Sequence, residues 1–187
     1  YGILYDVDAR LRPDGSKGAL AIPTQRLRQY YLEEAHFWER FALMKVRAVA
    51  GDGAFCESLE NIARDIAFAE APDANAVTAL ESLRQKLAAG APPHDLKRRE
   101  GGIAEIEFAT RLLQLRHVAA CPELKRGGVF AALDILRKND LLPQADYAEL
   151  HEGYDFFRLL LNRSRMMRGT SSSRLPDAPD TLRRLAL

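Results

Sequence analysis

YGILYDVDARLRP, residues 1–13, places Asp6, Asp8, Arg10 and Arg12 at every second position. Side chains alternate faces along an extended strand, so these four would share one surface, with Ile3, Tyr5, Val7 and Leu11 on the other. Carboxylates hold Mg²⁺ and arginines take phosphate oxygens, so such a face could bind a metal and a phosphate. It is equally the pattern of a solvated edge strand with cross-paired charges. A second group lies in WERFALMKVR (38–47), where Glu39, Lys45 and Arg47 sit on an otherwise apolar pattern that reads as one amphipathic helix. A third is KRREGGIAEIEF (97–108), in which a basic run meets Gly101–Gly102 at the start of a helix. That arrangement lets backbone N–H groups and the positive helix end receive an anion, with Lys97 beside them, and it is also an ordinary loop into a helix. At 100° per residue, Glu107, Arg111 and Gln114 fall within about 60° of one another, a narrow polar stripe on an apolar helix, and Glu107–Arg111 is also a plain i,i+4 pair. The histidines at 36, 94, 117 and 151 show no metal-ligand spacing.

The elements that must position these groups follow from periodicity and turn chemistry. DGSKG (14–18) reads as a turn and ALAIP (19–23) as a second short strand, giving a hairpin that stops at Pro23. Thr24 is the expected N-cap of a long helix reaching Gly51, with Leu27, Tyr31, Ala35, Trp38, Ala42, Val46 and Val49 at helical spacing. Helices are expected over 54–71, 73–89, 103–117, 127–138 and 145–168, and TLRRLAL begins one more. The predicted fold is mainly α: a short β-hairpin followed by a helical bundle, divided as 1–50 and 51–187.

Composition bounds the function classes. The 187 residues contain 47% hydrophobic and 28% charged residues, as in an ordinary soluble globular protein that can bury a real core. A net charge of +1 argues against a duplex-DNA binder or a basic membrane-surface module. No apolar run approaches the roughly 20 residues of a membrane span, and no signal peptide heads the chain, so a cytoplasmic, soluble protein is expected. Cys56 and Cys121 form no CxxC and read as two small buried thiols. Tyr1 is no natural initiator and the first residues read as mid-strand, so the chain is expected to be a fragment of something longer.

Taken together, YDVDARLRPDGSKGAL, the Tyr30–Tyr31 pair, WERFALMKVRAVAGD, LKRREGGIAEIEF and LPDAP resemble the glutamine synthetase adenylyltransferase / adenylyl-removing enzyme family. The likeness runs over nearly the whole chain in the family's order. VDxRLRPxGxxG and EGGIxEIEF are long, rare strings. The tail GTSSSRLPDAP departs from the family, which often carries His or Asp before the Leu-Pro.

The resemblance implies a polymerase-β-type nucleotidyltransferase sheet, here its closing part over 1–50, followed by the bundle of 51–187. In that fold three acids hold two divalent metals, Mg²⁺ or Mn²⁺, which orient ATP. The first two acids of the family pattern stand in an upstream Gly-Ser…Asp-x-Asp stretch that is not in this chain. The third maps onto Asp8, and Asp6 has no counterpart. Asp8 is then the metal ligand and a catalytic residue, with Glu107 as a second catalytic candidate. Arg10, Arg12, Lys45, Arg47, Lys97, Gly101 and Gly102 are the nucleotide-binding candidates. The implied reaction moves AMP from ATP to a tyrosine of glutamine synthetase, or removes it by phosphorolysis, under control of glutamine and the PII signal protein. YDVDARLRP and ILRKNDLL are closer to the adenylylating unit. With one acid of three, the isolated chain is expected to be inactive. Two other classes compete: a helical docking module for glutamine synthetase or PII, and a nucleic-acid-modifying nucleotidyltransferase. The second is opposed by the small net charge and the lack of aromatic-basic interleaving.

Overall fold

The computed structural model describes Ala9 and residues 11–186. Eight α-helices occur among the described residues: α1 Thr24–Gln29, α2 Phe37–Leu43, α3 Gly53–Ala67, α4 Ala74–Ala89, α5 Ile103–His117, α6 Val129–Lys138, α7 Gln144–Arg168 and α8 Pro179–Ala186. They group into two compact units, Tyr1–Glu70 and Ala71–Leu187. This division falls after α3.

In the first unit the described residues contain no strand, so the described arm of the expected hairpin, ALAIP, is a correction. It runs as bends, with Leu20 82% exposed. A strand needs a ladder partner for its N–H and C=O groups and a buried face for its apolar side chains, and the described residues offer 19–23 neither. The other arm, including Asp6, Asp8 and Arg10, lies outside the described residues.

The expected long helix is also broken. α1 runs into a π-turn over Tyr30–Glu34, in which the Ala35 N–H donates to the Tyr30 carbonyl at 2.8 Å. Ala35 and His36 are extended, and α2 restarts with the Glu39 carboxylate accepting the His36 N–H at 2.9 Å. A glutamate three residues into a helix satisfies an orphan donor there and makes a fresh start favourable. Apolar periodicity ran straight through this break and could not show it. α2 ends at Leu43, so Lys45 and Arg47 lie on exposed chain beyond the helix rather than on it. Asp52 caps α3 by accepting the Phe55 N–H at 2.9 Å. The small core of this unit joins Tyr30 and Tyr31, edge to face at 5.2 Å, to Ile62 and Ile66 of α3. Phe55 of α3 is 54% exposed.

The second unit follows the sequence closely. Asp73 caps α4 through the Ala76 N–H at 2.7 Å, and α5 begins and ends where periodicity placed it. α6 contributes Ala132, Leu133 and Leu136, all 0% exposed, to a cluster with Leu124, Cys121 and Leu142. Each such leucine contributes about 2 kcal/mol by burial. A second cluster packs Tyr154 and Leu161 of α7 on Leu96, Ile103 and Ile106. Gly169, with φ +58°, ends α7 in the left-handed conformation. No helix among the described residues is long and apolar enough to cross a membrane. Cys121 is buried, while Cys56 is half-buried with its Sγ 3.5 Å from the Ala50 carbonyl.

Candidate functional site

Each unit holds one of the two long motifs, and each motif is closed by one charged side chain. In the first unit it is Arg12. Its guanidinium donates to the carbonyls of Gly18 at 3.1 Å, Ser16 at 3.4 Å and Ala9. Asp14 and Gly15 inside this turn are both left-handed, at φ +61° and +55°. A Cβ on Gly18 would lie 1.9 Å from the Pro13 carbonyl oxygen, so only glycine fits there. The turn is followed by the Tyr30–Glu39 pair, whose O–H···O distance is 2.8 Å. That hydrogen bond, with burial, pushes the Tyr30 hydroxyl up to about 12. Arg26 forks onto Glu34 and lies 5.7 Å from the Tyr30 ring centroid.

In the second unit the closing residue is Asp95, which is 1% exposed. Its Oδ1 accepts the backbone N–H groups of Lys97 and Arg98, both at 2.8 Å, and its Oδ2 accepts the Ser173 hydroxyl at 2.9 Å and the Arg98 guanidinium at 3.4 Å. Burial raises the Asp95 carboxyl, but these donors outweigh burial and hold it below the usual aspartate value. The same seam is sewn by the backbone: Leu96 N–H to Ser173 O at 2.9 Å and Leu175 N–H to His94 O at 3.1 Å. The motif loop 94–102 and the tail loop 170–177 are therefore one structure.

Gly101–Gly102 has a local explanation. Gly101 sits at φ +68°, and a Cβ on Gly102 would lie 2.9 Å from both the Leu96 and the Arg99 carbonyl oxygens. This close turn brings the Leu96 and Lys97 carbonyls onto the Ile103 and Ala104 N–H groups at 3.1 and 2.9 Å, while Glu105 N–H bonds Gly102 O at 3.0 Å. The first amides of α5 are thus already engaged. Glu105 accepts the Gly101 N–H at 2.9 Å and pairs with Arg84 of α4.

The polar stripe of α5 faces inward. The Glu107 carboxylate lies 3.4 Å from Arg111 Nη2 and accepts from the Tyr154 hydroxyl at 3.4 Å. Tyr154 in turn accepts from Arg158 at 3.4 Å, and burial raises its own pKa. Gln114 donates to the Leu124 carbonyl at 2.7 Å, and Thr110 to Ile106 O at 2.8 Å. Glu107 therefore belongs to a half-buried network between α5 and α7, whereas Lys97 is exposed beside the Asp95 seam. Sequence reasoning missed Asp95, Ser173, Glu105 and Arg84. An aspartate bonding the amides two and three residues ahead is a turn signal readable from the string HDLKR. The Ser173 contact, 78 residues away, carries no such local signal.

Among the described residues no group of three or more His, Cys, Asp or Glu could hold a metal ion. The described residues do not fit a metal pair by themselves.

Similarity to known proteins follows the same two-part division. Residues 1–62 match a family model described as glutamate-ammonia ligase adenylyltransferase, and residues 77–187 match one described as GlnD PII-uridylyltransferase. Relatives named bifunctional glutamine synthetase adenylyltransferase/adenylyl-removing enzyme match almost end to end. The Pseudomonas putida protein is 33% identical over 99% of this chain, that of Xanthomonas axonopodis pv. citri 35% over 100%, and that of Stenotrophomonas maltophilia 36% over 96%. The chain spans about a fifth of their length, between 19% and 20%. With both motifs in place and a match across both units, the chain belongs to the glutamine synthetase adenylyltransferase/adenylyl-removing enzyme family.

Proposed function

We propose that this chain is part of an enzyme that transfers AMP from ATP to a tyrosine of glutamine synthetase, or removes it by phosphorolysis. The observation that carries the reading is the match to enzymes of that name across both units, over 96–100% of the chain. In the forward direction the tyrosine oxygen attacks the α-phosphorus, an O–P bond forms, the α–β anhydride bond breaks, and pyrophosphate leaves. Asp8 contributes one carboxylate toward a Mg²⁺ or Mn²⁺ site, and a metal bound there would supply electrostatic stabilisation of the phosphoryl charge. Arg10, Lys45 and Arg47 of the first unit take nucleotide phosphates.

For the remaining candidates the geometry favours positioning. Arg12 holds the turn that follows Asp8. Gly101 and Gly102 shape the loop that presents Lys97. Glu107 acts through Tyr154 and Arg111. Glutamine and PII are the proposed regulators of the longer protein.

The test uses a longer protein containing this chain, glutamine synthetase and ATP labelled at the α-phosphate. Label should appear on a glutamine synthetase tyrosine, and the 187-residue chain alone should transfer none. Transfer by the isolated chain would overturn the reading that the other two acids lie outside it. Binding of glutamine synthetase by the longer protein, with no transfer in either direction, would favour the docking reading.

A further inference from the structure

The Asp95 seam gathers more positive charge than its acids neutralise. Arg98 is paired with Asp95, and Arg174 is forked onto Asp177 at 2.9 and 2.7 Å. The other cations of the seam have only backbone carbonyls as partners, or none among the described residues. Arg165 donates to Ser171 O at 3.1 Å and Ser172 O at 3.4 Å, Arg168 to Arg174 O at 3.0 Å, and Arg99 to Glu100 O at 3.2 Å. Lys97 is exposed and has no side-chain partner among the described residues. A carbonyl orients a guanidinium but does not cancel its charge, and it leaves other N–H groups of the fork available. Glu100, also in this stretch, has no side-chain partner among the described residues. Both loops are fixed in place by Asp95, by Ser173 and by backbone bonds at 2.9 and 3.1 Å.

We propose that this seam is a polyphosphate-binding site of the second unit, using Lys97, Arg99, Arg165 and Arg168. Several unneutralised cations along one rigid seam suit a small ligand with several adjacent charges. Guanidinium forks match phosphate oxygens in particular. The first amides of α5 are engaged by Leu96, Lys97 and Gly102 carbonyls, so recognition falls to these side chains and not to the helix start. The ligand is a free inorganic polyphosphate or the phosphate tail of a nucleotide.

Isothermal titration of the full chain at low ionic strength, without divalent metal, tests this with inorganic tripolyphosphate and, separately, with ATP. Lys97→Gln should weaken tripolyphosphate binding about fivefold, and Lys97→Gln with Arg168→Gln about twentyfold or more, both effects shrinking as salt is added. Lys138→Gln, a charge removed from the exposed end of α6, should change nothing. Because Lys97 makes no described side-chain contact, its variant keeps the fold and the test stands even if Arg168→Gln loosens the tail loop. Equal affinity for tripolyphosphate and ATP identifies a phosphate-only site. Tighter ATP binding that is still weakened by Lys97→Gln identifies a nucleotide tail. Absence of tripolyphosphate binding, or equal losses for Lys97→Gln and Lys138→Gln, would overturn the proposal. It rests on the second unit's own geometry: tripolyphosphate binding through Lys97 in a protein that never transfers AMP would leave the seam standing and remove only the adenylyl-transfer reading.

Discussion

The turn after residue 8 and the loop before α5 solve one problem with opposite charges. In the first unit a cation, Arg12, collects backbone carbonyls from Ala9, Ser16 and Gly18. In the second an anion, Asp95, collects the N–H groups of Lys97 and Arg98 and the Ser173 hydroxyl. The difference lies in what each closure reaches. Among the described residues Arg12 bonds only within its own turn, at sequence distances of 3 to 6 residues, and is half-buried. Asp95 is 1% exposed and ties two loops that are 78 residues apart. A local staple tolerates loss because water can replace it. A buried post leaves amides stranded when it is removed.

Three substitutions sharpen this contrast. Gly18→Ala should be the most damaging, because its Cβ would sit 1.9 Å from a backbone oxygen. The turn must open, at a cost of about 3–4 kcal/mol in thermal or urea unfolding of the first unit. Asp95→Ala should cost about 3 kcal/mol in the second unit, since it strands the Lys97 and Arg98 amides and frees the tail loop. Arg12→Lys should cost only about 1 kcal/mol, since an ammonium can reach one or two of the three carbonyls that the fork spans. Equal losses for Asp95→Ala and Arg12→Lys would break the distinction between a post and a staple.

Acid offers a smaller, graded version of the same comparison. The folded Asp95 carboxyl titrates below the ordinary aspartate value. Its stabilisation is therefore complete above that ordinary value and is lost as pH falls through the lower folded one. On acidification below about pH 4, hydrogen exchange at the Lys97 and Arg98 amides should accelerate before Trp38, the single tryptophan and a reporter of the first unit, changes its fluorescence. Alkali acts on the first unit through Tyr30. Its hydroxyl is raised to about 12, so the associated stability is present below about pH 10 and is lost as pH rises through about 12.

How much was legible in the sequence follows from the same contrast between local and distant contacts. The ends of α5 and the course of α6 and α7 could be read because apolar spacing is a local signal. The break at Ala35–His36 could not, because Leu27, Tyr31, Ala35 and Trp38 keep helical spacing across it while Glu39 restarts the helix. Gly101–Gly102 was visible as a special place. Its reason, two carbonyl oxygens 2.9 Å from any Cβ, exists only once Leu96 and Arg99 are folded over it. Glu107 stood out on its narrow stripe, yet its partner Tyr154 comes from 47 residues away. The unneutralised charge of Arg165 and Arg168 becomes a surface only through the tail loop that they hold.

In the proposed function Asp8, and not Asp6, serves adenylyl transfer. The most direct measurement compares Asp8→Asn with Asp6→Asn in a longer protein containing this chain, reading initial rates of AMP transfer from ATP to glutamine synthetase. Loss of the Asp8 carboxylate should reduce the rate about a thousandfold or more, while Asp6→Asn should stay within about tenfold of the parent. Equal losses, or a larger loss at Asp6, would contradict the claim.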